Sequence, residues 1–326
     1  IAHIAQCKSQ ELANTSWAFA TMKVDDRPLF DALAAQSMIT IPSAEPRHLS
    51  GTVWAFATLA ILHRPLLEAM SAAVQAQISA GIFGARALSN TAWAMATLAW
   101  LDAPLMTAIA AASLSSIGDT AFRSQELANT AWAYATLAVS NEPLRAALAA
   151  QSQVTLYGQF RAQELANTAW AYAILACSDE PLLQSLASAS LPSIAQFEPS
   201  GLATTAWAFA ELRWFDVPLF DAISAAAKAT MGNFRQEELR MMLSALSRPE
   251  LSEDLADVWA LLERSEAGEG PRPSALCLGA PLMECEQRRR FPEELALLRR
   301  LAACRGGGGA PPDSAAAPAA LLGEAA

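Results

Sequence analysis

Residues 125–135, Gln125-Glu126-Leu127-Ala128-Asn129-Thr130-Ala131-Trp132-Ala133-Tyr134-Ala135, return letter for letter at 163–173. Weaker copies surround this pair. Trp17, Trp54, Trp93, Trp132, Trp170 and Trp207 are 37, 39, 39, 38 and 37 residues apart. Each has a leucine five positions before, a threonine two before, an alanine directly after and a proline eleven after (Pro28, Pro65, Pro104, Pro143, Pro181, Pro218). A fixed period of this length is the signature of a repeat architecture, in which each unit buries its apolar faces only against its neighbours.

Each unit divides into two helices. Leu127, Thr130, Ala131, Tyr134 and Leu137 follow the stripe spacing of a first helix, while Asn129, Trp132, Ala133 and Thr136 fall on the adjoining face. A Pro-Leu pair opens the second helix, where proline's fixed φ and missing N–H cost nothing. Asp26, Asp102, Asn141, Asp179 and Asp216 stand two residues before that proline, placed to cap it. Leu144, Ala147, Leu148 and Gln151 form a stripe on one second helix. Phe83, Phe122, Phe160, Phe197 and Phe234 precede the next tryptophan position by ten, where a hydrophobic staple would set the entry into each first helix. A seventh unit begins at Gln236-Glu237-Glu238-Leu239 with Ser244 in place of tryptophan, as befits a terminal cap. Ser252 to Arg264 reads as one more helix.

The fold class expected is therefore all-α: an armadillo-like α-solenoid of about seven repeats of 37–39 residues over 1–264, with a disordered tail over 265–326. The tail is rich in glycine, proline and alanine, with a short helix expected from Pro292 to Cys304 after Arg288-Arg289-Arg290. Composition agrees. Of 326 residues, 53% are hydrophobic but only 7% aromatic, so alanine and leucine dominate, which suits close-packed helices. Apolar stretches such as 91–114 are broken by residues like Asp102 and Pro104, so no membrane span is expected. The chain opens on Ile1 rather than methionine, so residues before it, and any targeting segment, are expected to be missing. Five cysteines (Cys7, Cys177, Cys277, Cys285, Cys304) at irregular spacing read as reduced thiols, and neither they nor His3, His48 and His63 show metal-ligand spacing. No catalytic constellation, phosphate loop or cofactor motif is visible, and a row of repeated polar residues points to binding rather than catalysis. Neither an enzymatic activity, a cofactor nor a small-molecule substrate is expected.

Candidate binding residues come from positions that recur. The tryptophans sit among alanines on a helix contacted from several sides and are assigned to packing between repeats. Three residues before them, Asn14, Asn90, Asn129 and Asn167 form a row of amides able to read base edges or a peptide backbone, or to tie neighbouring helices together. Lys8, Arg123, Arg161 and Arg235 stand nine before the tryptophan position, where helix N-termini could receive phosphates. The same units carry Glu11, Glu126, Glu164 and Glu238 three residues later, which favours i, i+3 ion pairs. Arg47, His48 and Arg86 in units two and three lack such a glutamate and mark the place for a bare basic patch. The net charge of −10 disfavours nucleic acid, whose binding rests on neutralising phosphates, and favours a protein partner instead.

With its Leu-Ala-Asn-x-x-Trp-Ala core, its period near 38 and Pro-Leu eleven residues on, the chain over residues 8–247 resembles the octotricopeptide-type repeats of algal and protist organelle proteins. It is similar more broadly to the leucine-rich helical region of FAST-kinase-like and RAP-domain proteins and to the armadillo-like subunits of mitochondrial RNA-editing substrate-binding complexes. The resemblance implies selective binding of single-stranded organelle RNA, about one nucleotide per repeat, in mitochondria or alternatively plastids. It would serve processing, stability, editing or translation of transcripts. The alternative is an armadillo-type protein–protein scaffold.

Overall fold

The computed structural model describes residues 3–118, 122–248, 250–251, 256–287 and 291–306, and the described residues hold helices and no strand. They form two compact units divided after Thr155. In the first, α1 (Ser9–Thr21), α3 (Pro46–Thr58), α5 (Ala85–Thr97) and α7 (Ser124–Thr136) are the first helices of four repeats. They alternate with α2 (Arg27–Thr40), α4 (Arg64–Ser79), α6 (Ala103–Ser116) and α8 (Glu142–Gln159), whose last residues fall past the division. First helices pack in series, α1 on α3 on α5 on α7, and second helices likewise, α2 on α4 on α6.

The second unit repeats the scheme with α9 (Ala162–Ile174), α10 (Glu180–Ser190), α11 (Pro199–Glu211), α12 (Val217–Ala229), α13 (Gln236–Leu246) and α14 (Ala256–Arg264). Here α9, α11 and α13 pack in series, as do α10, α12 and α14. This is the all-α solenoid arrangement expected from the period.

Leucines five before the tryptophan position, Leu12, Leu49, Leu88, Leu127, Leu165, Leu202 and Leu239, are buried in every repeat. Three turn devices repeat with them. The backbone N–H groups of Lys8, Arg123, Arg161 and Arg235 donate to the carboxylates of Glu11, Glu126, Glu164 and Glu238 at 2.7, 3.1, 2.8 and 2.7 Å. These glutamates close capping boxes. Among the described residues, Arg235 alone of these four adds a side-chain ion pair to its glutamate, at 2.8 Å. The expected pairing of basic and acidic side chains is thus corrected: the glutamate serves the main chain, whose first N–H groups have no partner inside the helix.

At the second helices, Asp26, Asp102, Asn141, Asp179 and Asp216 accept from the N–H three residues on, as expected. His63, which fills the same position in the second repeat, does so through Nδ1 at 3.1 Å. The first helices α1, α3, α5, α7, α9 and α11 each end on a left-handed residue that is not glycine: Lys23, Ala60, Ala99, Ala138, Ala176 and Arg213, with φ from 49° to 55°. The N–H one residue further on closes each turn in Schellman fashion, as in Trp100 N–H to Met95 O at 2.9 Å.

The staple phenylalanines Phe83, Phe122, Phe197 and Phe234 are buried. At α11 the ring of Phe197 lies where a Cβ on Gly201 would meet it at 3.3 Å, so glycine replaces the capping glutamate there to admit the ring.

The region expected as tail is partly folded. After α14, residues 265–269 form a π turn, followed by α15 (Gly279–Gln287) and α16 (Phe291–Gly306). α15 packs on α13 and α16 on α15. The helix expected from Pro292 to Cys304 lies within α16. Cys277, Leu278, Cys285 and Leu297 are buried, and Arg300 pairs with Glu266 at 2.6 Å while lying over the Trp259 ring. A Cβ on Gly270 would sit 2.8 Å from Met231, a close approach only glycine permits. The composition is low in complexity, yet enough leucine and cysteine fall on one side to be buried. Residues 252–255 of the expected last helix, Arg288-Arg289-Arg290 and the glycine- and alanine-rich end over 307–326 lie outside the described residues.

Candidate nucleic-acid interface

Positions seven and three before the tryptophan, the tryptophan itself and the residue four after it share one face of each first helix, because they recur at helical spacing. In the first unit this face runs Gln10, Asn14, Trp17 and Thr21 on α1, then Arg47, Gly51, Trp54 and Thr58 on α3. It continues with Arg86, Asn90, Trp93 and Thr97 on α5, and Gln125, Asn129, Trp132 and Thr136 on α7. No carboxylate stands in these positions. The strip is polar and aromatic, with two arginines, in a chain of net charge −10.

Its exposure is graded. Trp17 is 50% exposed and Asn14 is exposed; Trp54, Trp93, Asn90 and Asn129 are half-buried; Trp132 is only 3% exposed. Trp54 and Trp93 stack with centroids 6.2 Å apart, and Trp93 and Trp132 follow at 6.4 Å. The indoles thus form a ladder between repeats, the packing role expected from their alanine neighbours. Trp17 is outside that ladder: among the described residues no ring contact joins it to Trp54.

The basic candidates divide. Arg86 is exposed and has no ion-pair partner among the described residues. Arg47, also exposed, pairs with Glu45 at 3.0 Å, a contact of two solvated side chains that contributes little. His48 is buried and stands at the third helical position of α3, where other repeats carry the capping glutamate. Its Nδ1 accepts from Glu45 N–H at 3.3 Å and lies 3.2 Å from Ser9 Oγ on the preceding repeat. Burial holds its pKa below the ordinary histidine value, with the Glu45 carboxylate opposing and Arg47 assisting. This histidine acts as a neutral cap joining two repeats. Arg123 stands exposed at the N-cap of α7.

The second unit presents the same face differently. Asn167 is 8% exposed and its Oδ1 is a buried acceptor without a hydrogen bond. Arg161 is exposed at the N-cap of α9. Beyond them the strip carries carboxylates, and these are neutralised internally: Glu237 with Arg240, and Glu211 with Arg248 at 3.4 Å. Hydrogen bonding from Arg240 holds the Glu237 carboxyl below its ordinary value. Only the first unit keeps the face free of acid.

The structure brings Asn14, Asn90, Asn129, Arg47 and Arg86 onto one strip, sets Asn167 and Arg161 in the other unit, and places His48 and Arg123 at helix starts beside the strip. Sequence reasoning missed two members. Trp17 stands among tryptophans whose alanine neighbours point to packing, and Gly51 breaks the row of amides without a side chain to signal a role. A Cβ built on Gly51 meets nothing within 4 Å, so that gap is open space.

Among the described residues, no helix is long and apolar enough to cross a membrane, and no three His, Cys, Asp or Glu side chains gather as metal ligands. No curated protein matches the chain. Residues 115–254, however, match the family model of the RNA-editing substrate-binding complex 6 protein, a match that supports an RNA-editing helical-repeat family but does not extend to the octotricopeptide or FAST-kinase-like likeness.

Proposed function

We propose that this chain is a non-catalytic helical-repeat protein that binds single-stranded RNA along the first-helix face of its repeats and acts in RNA editing. The observation that carries the reading is the acid-free strip of α1, α3, α5 and α7, with its amides, half-buried indoles and the unpaired Arg86. Amides offer a donor and an acceptor to a base edge, indoles offer a stacking surface, and the arginines meet phosphate. The match of residues 115–254 to an RNA-editing family supports the process. By the same resemblance the protein works in a mitochondrion, with a plastid as the alternative; the repeat period and the closing helix α14 support a repeat domain over residues 1–264. Asn14, Asn90, Asn129, Arg47 and Arg86 carry direct contacts; Arg123, Arg161 and Asn167 are further contact positions, and His48 sets the register of α3 on α1.

The net charge of −10 favours a second reading, an armadillo-type scaffold that docks a basic protein. Titration of the purified protein with a pool of single-stranded RNA at two salt concentrations separates them. RNA binding that weakens as salt rises is expected. Absence of binding at low salt, or binding indifferent to salt, would sink the RNA reading.

A further inference from the structure

The indole ladder has a break. Trp54, Trp93 and Trp132 stack in sequence, whereas Trp17 on the adjacent helix α1 makes no ring contact with Trp54 and leaves half its surface in solvent. On α3, the residue one turn before Trp54 is Gly51, and the space its side chain would fill is empty. In every other repeat that keeps the tryptophan, this position carries asparagine or threonine. Asn14 stands one turn before Trp17, exposed, with its amide unengaged in any hydrogen bond among the described residues. Arg47 lies one turn before Gly51 on the same face.

We infer that Trp17, Asn14 and Gly51 form a nucleobase site: one unpaired base of RNA stacks on the exposed indole of Trp17, over the space left by Gly51, with the Asn14 amide on its edge and Arg47 near its phosphate. The site rests on the RNA-binding reading above and names where along the strip a base is gripped by stacking. Trp54, Trp93 and Trp132 already stack on one another, whereas among the described residues the Trp17 ring has no indole against it and is the most exposed of the four. An exposed large aromatic ring one turn from a free amide, with the solvated Arg47–Glu45 pair on the adjacent helix and no carboxylate at the strip positions, is complementary to a base and its phosphate. A flat aromatic surface stacks on any base, so this position grips RNA with little choice of sequence, while the amide biases the edge.

The test uses the full chain and a ten-nucleotide single-stranded RNA, with affinities read by fluorescence anisotropy of the labelled RNA. Three variants are compared: Trp17→Ala removes the stacking surface, Trp17→Phe keeps a smaller ring, and Gly51→Leu fills the open space. Circular dichroism melts establish that each variant is folded. Leucine is the better helix former at Gly51, so G51L is expected to melt no lower than the parent. Stacking on one aromatic side chain supports a loss of about tenfold or more for Trp17→Ala and for Gly51→Leu, with Trp17→Phe retaining most of the affinity. The losses should vanish when an abasic oligonucleotide of the same length is used, because phosphate contacts remain and the base does not. If the parent binds RNA and all three variants bind equally well, the nucleobase site is refuted while the RNA-binding function stands. If the losses persist in full on the abasic strand, the face contacts backbone and the site is again refuted. If the parent binds no RNA but its Trp17 face is protected by a basic peptide, both readings fall in favour of a protein partner.

Discussion

Asp102 offers the sharpest separation of local from inter-repeat stabilisation. Its Oδ1 accepts from Leu105 N–H at 2.9 Å, capping α6, and its Oδ2 accepts from Ser71 Oγ of the preceding repeat at 2.6 Å. Asp26 occupies the equivalent place before α2 and caps Leu29 N–H at 3.1 Å, but takes no bond from a neighbouring repeat. Loss of an N-cap costs about 1 kcal/mol. A hydrogen bond to a charged group adds about 1.5–3 kcal/mol, because its loss leaves the buried Ser71 hydroxyl without its acceptor. Asp102→Ala should therefore lower stability by about 2.5–4 kcal/mol, and Asp26→Ala by about 1 kcal/mol. Asp102→Asn retains an acceptor for Leu105 and a polar group facing Ser71, so its cost should stay near that of Asp26→Ala. Urea denaturation followed by circular dichroism measures all three, and Ser71→Ala together with the double variant Ser71→Ala/Asp102→Ala closes a thermodynamic cycle. Equal costs for Asp102→Ala and Asp26→Ala, or a coupling energy of zero in the cycle, would refute the claim that this carboxylate joins two repeats.

Other outcomes follow from the same geometry. Ala99→Gly should raise stability by about 0.5–1 kcal/mol, since glycine reaches the left-handed φ of 49° without a Cβ penalty; a lower thermal midpoint would contradict the turn assignment. His48 has a folded pKa below its unfolded value of 6.5, so its unfolded form takes up a proton first as pH falls. Its contribution is thus complete above about pH 6.5 and is lost as pH drops toward the folded pKa; His48→Gln should flatten that part of the stability–pH curve. Tyr134 behaves oppositely: burial pushes its pKa up while its hydroxyl donates to Met106 O. Stability from this group is complete below the unfolded value near 10 and falls as pH rises through it, a fall that Tyr134→Phe should remove at a cost of about 1 kcal/mol at neutral pH. Arg86→Ala should weaken RNA binding and reduce the slope of log affinity against log salt by about 0.7, one single-strand phosphate; an unchanged slope would remove Arg86 from the interface.

The period of the tryptophans, the Pro-Leu pairs and the acidic residues two before them were enough to place every repeat helix, because caps and apolar stripes act within a few residues of chain. The same local logic identified the caps at Asp102 and Asn141 in advance. It missed His63 and His48 as caps, since histidine rarely takes that place and does so here through a ring nitrogen rather than a carboxylate or hydroxyl oxygen. The left-handed Ala60 and Ala99 were likewise invisible, because glycine is the usual signal for that turn.

The binding face shows the division most clearly. Sequence determined which residues recur at each register and that asparagine, tryptophan and threonine share a helix face, a consequence of 3.6 residues per turn. It could not say that six identical tryptophans have different surroundings. Stacking of α3, α5 and α7 covers Trp132 and engages Trp93 on both sides, while Trp17 on α1 keeps an open face. It likewise could not say that Arg123 and Arg161 offer their backbone, more than their side chains, to the glutamates beside them. Exposure and pairing belong to the neighbours that a residue meets, and those are set by how repeats stack, so only the tertiary structure decided which members of a repeating row remain free to bind.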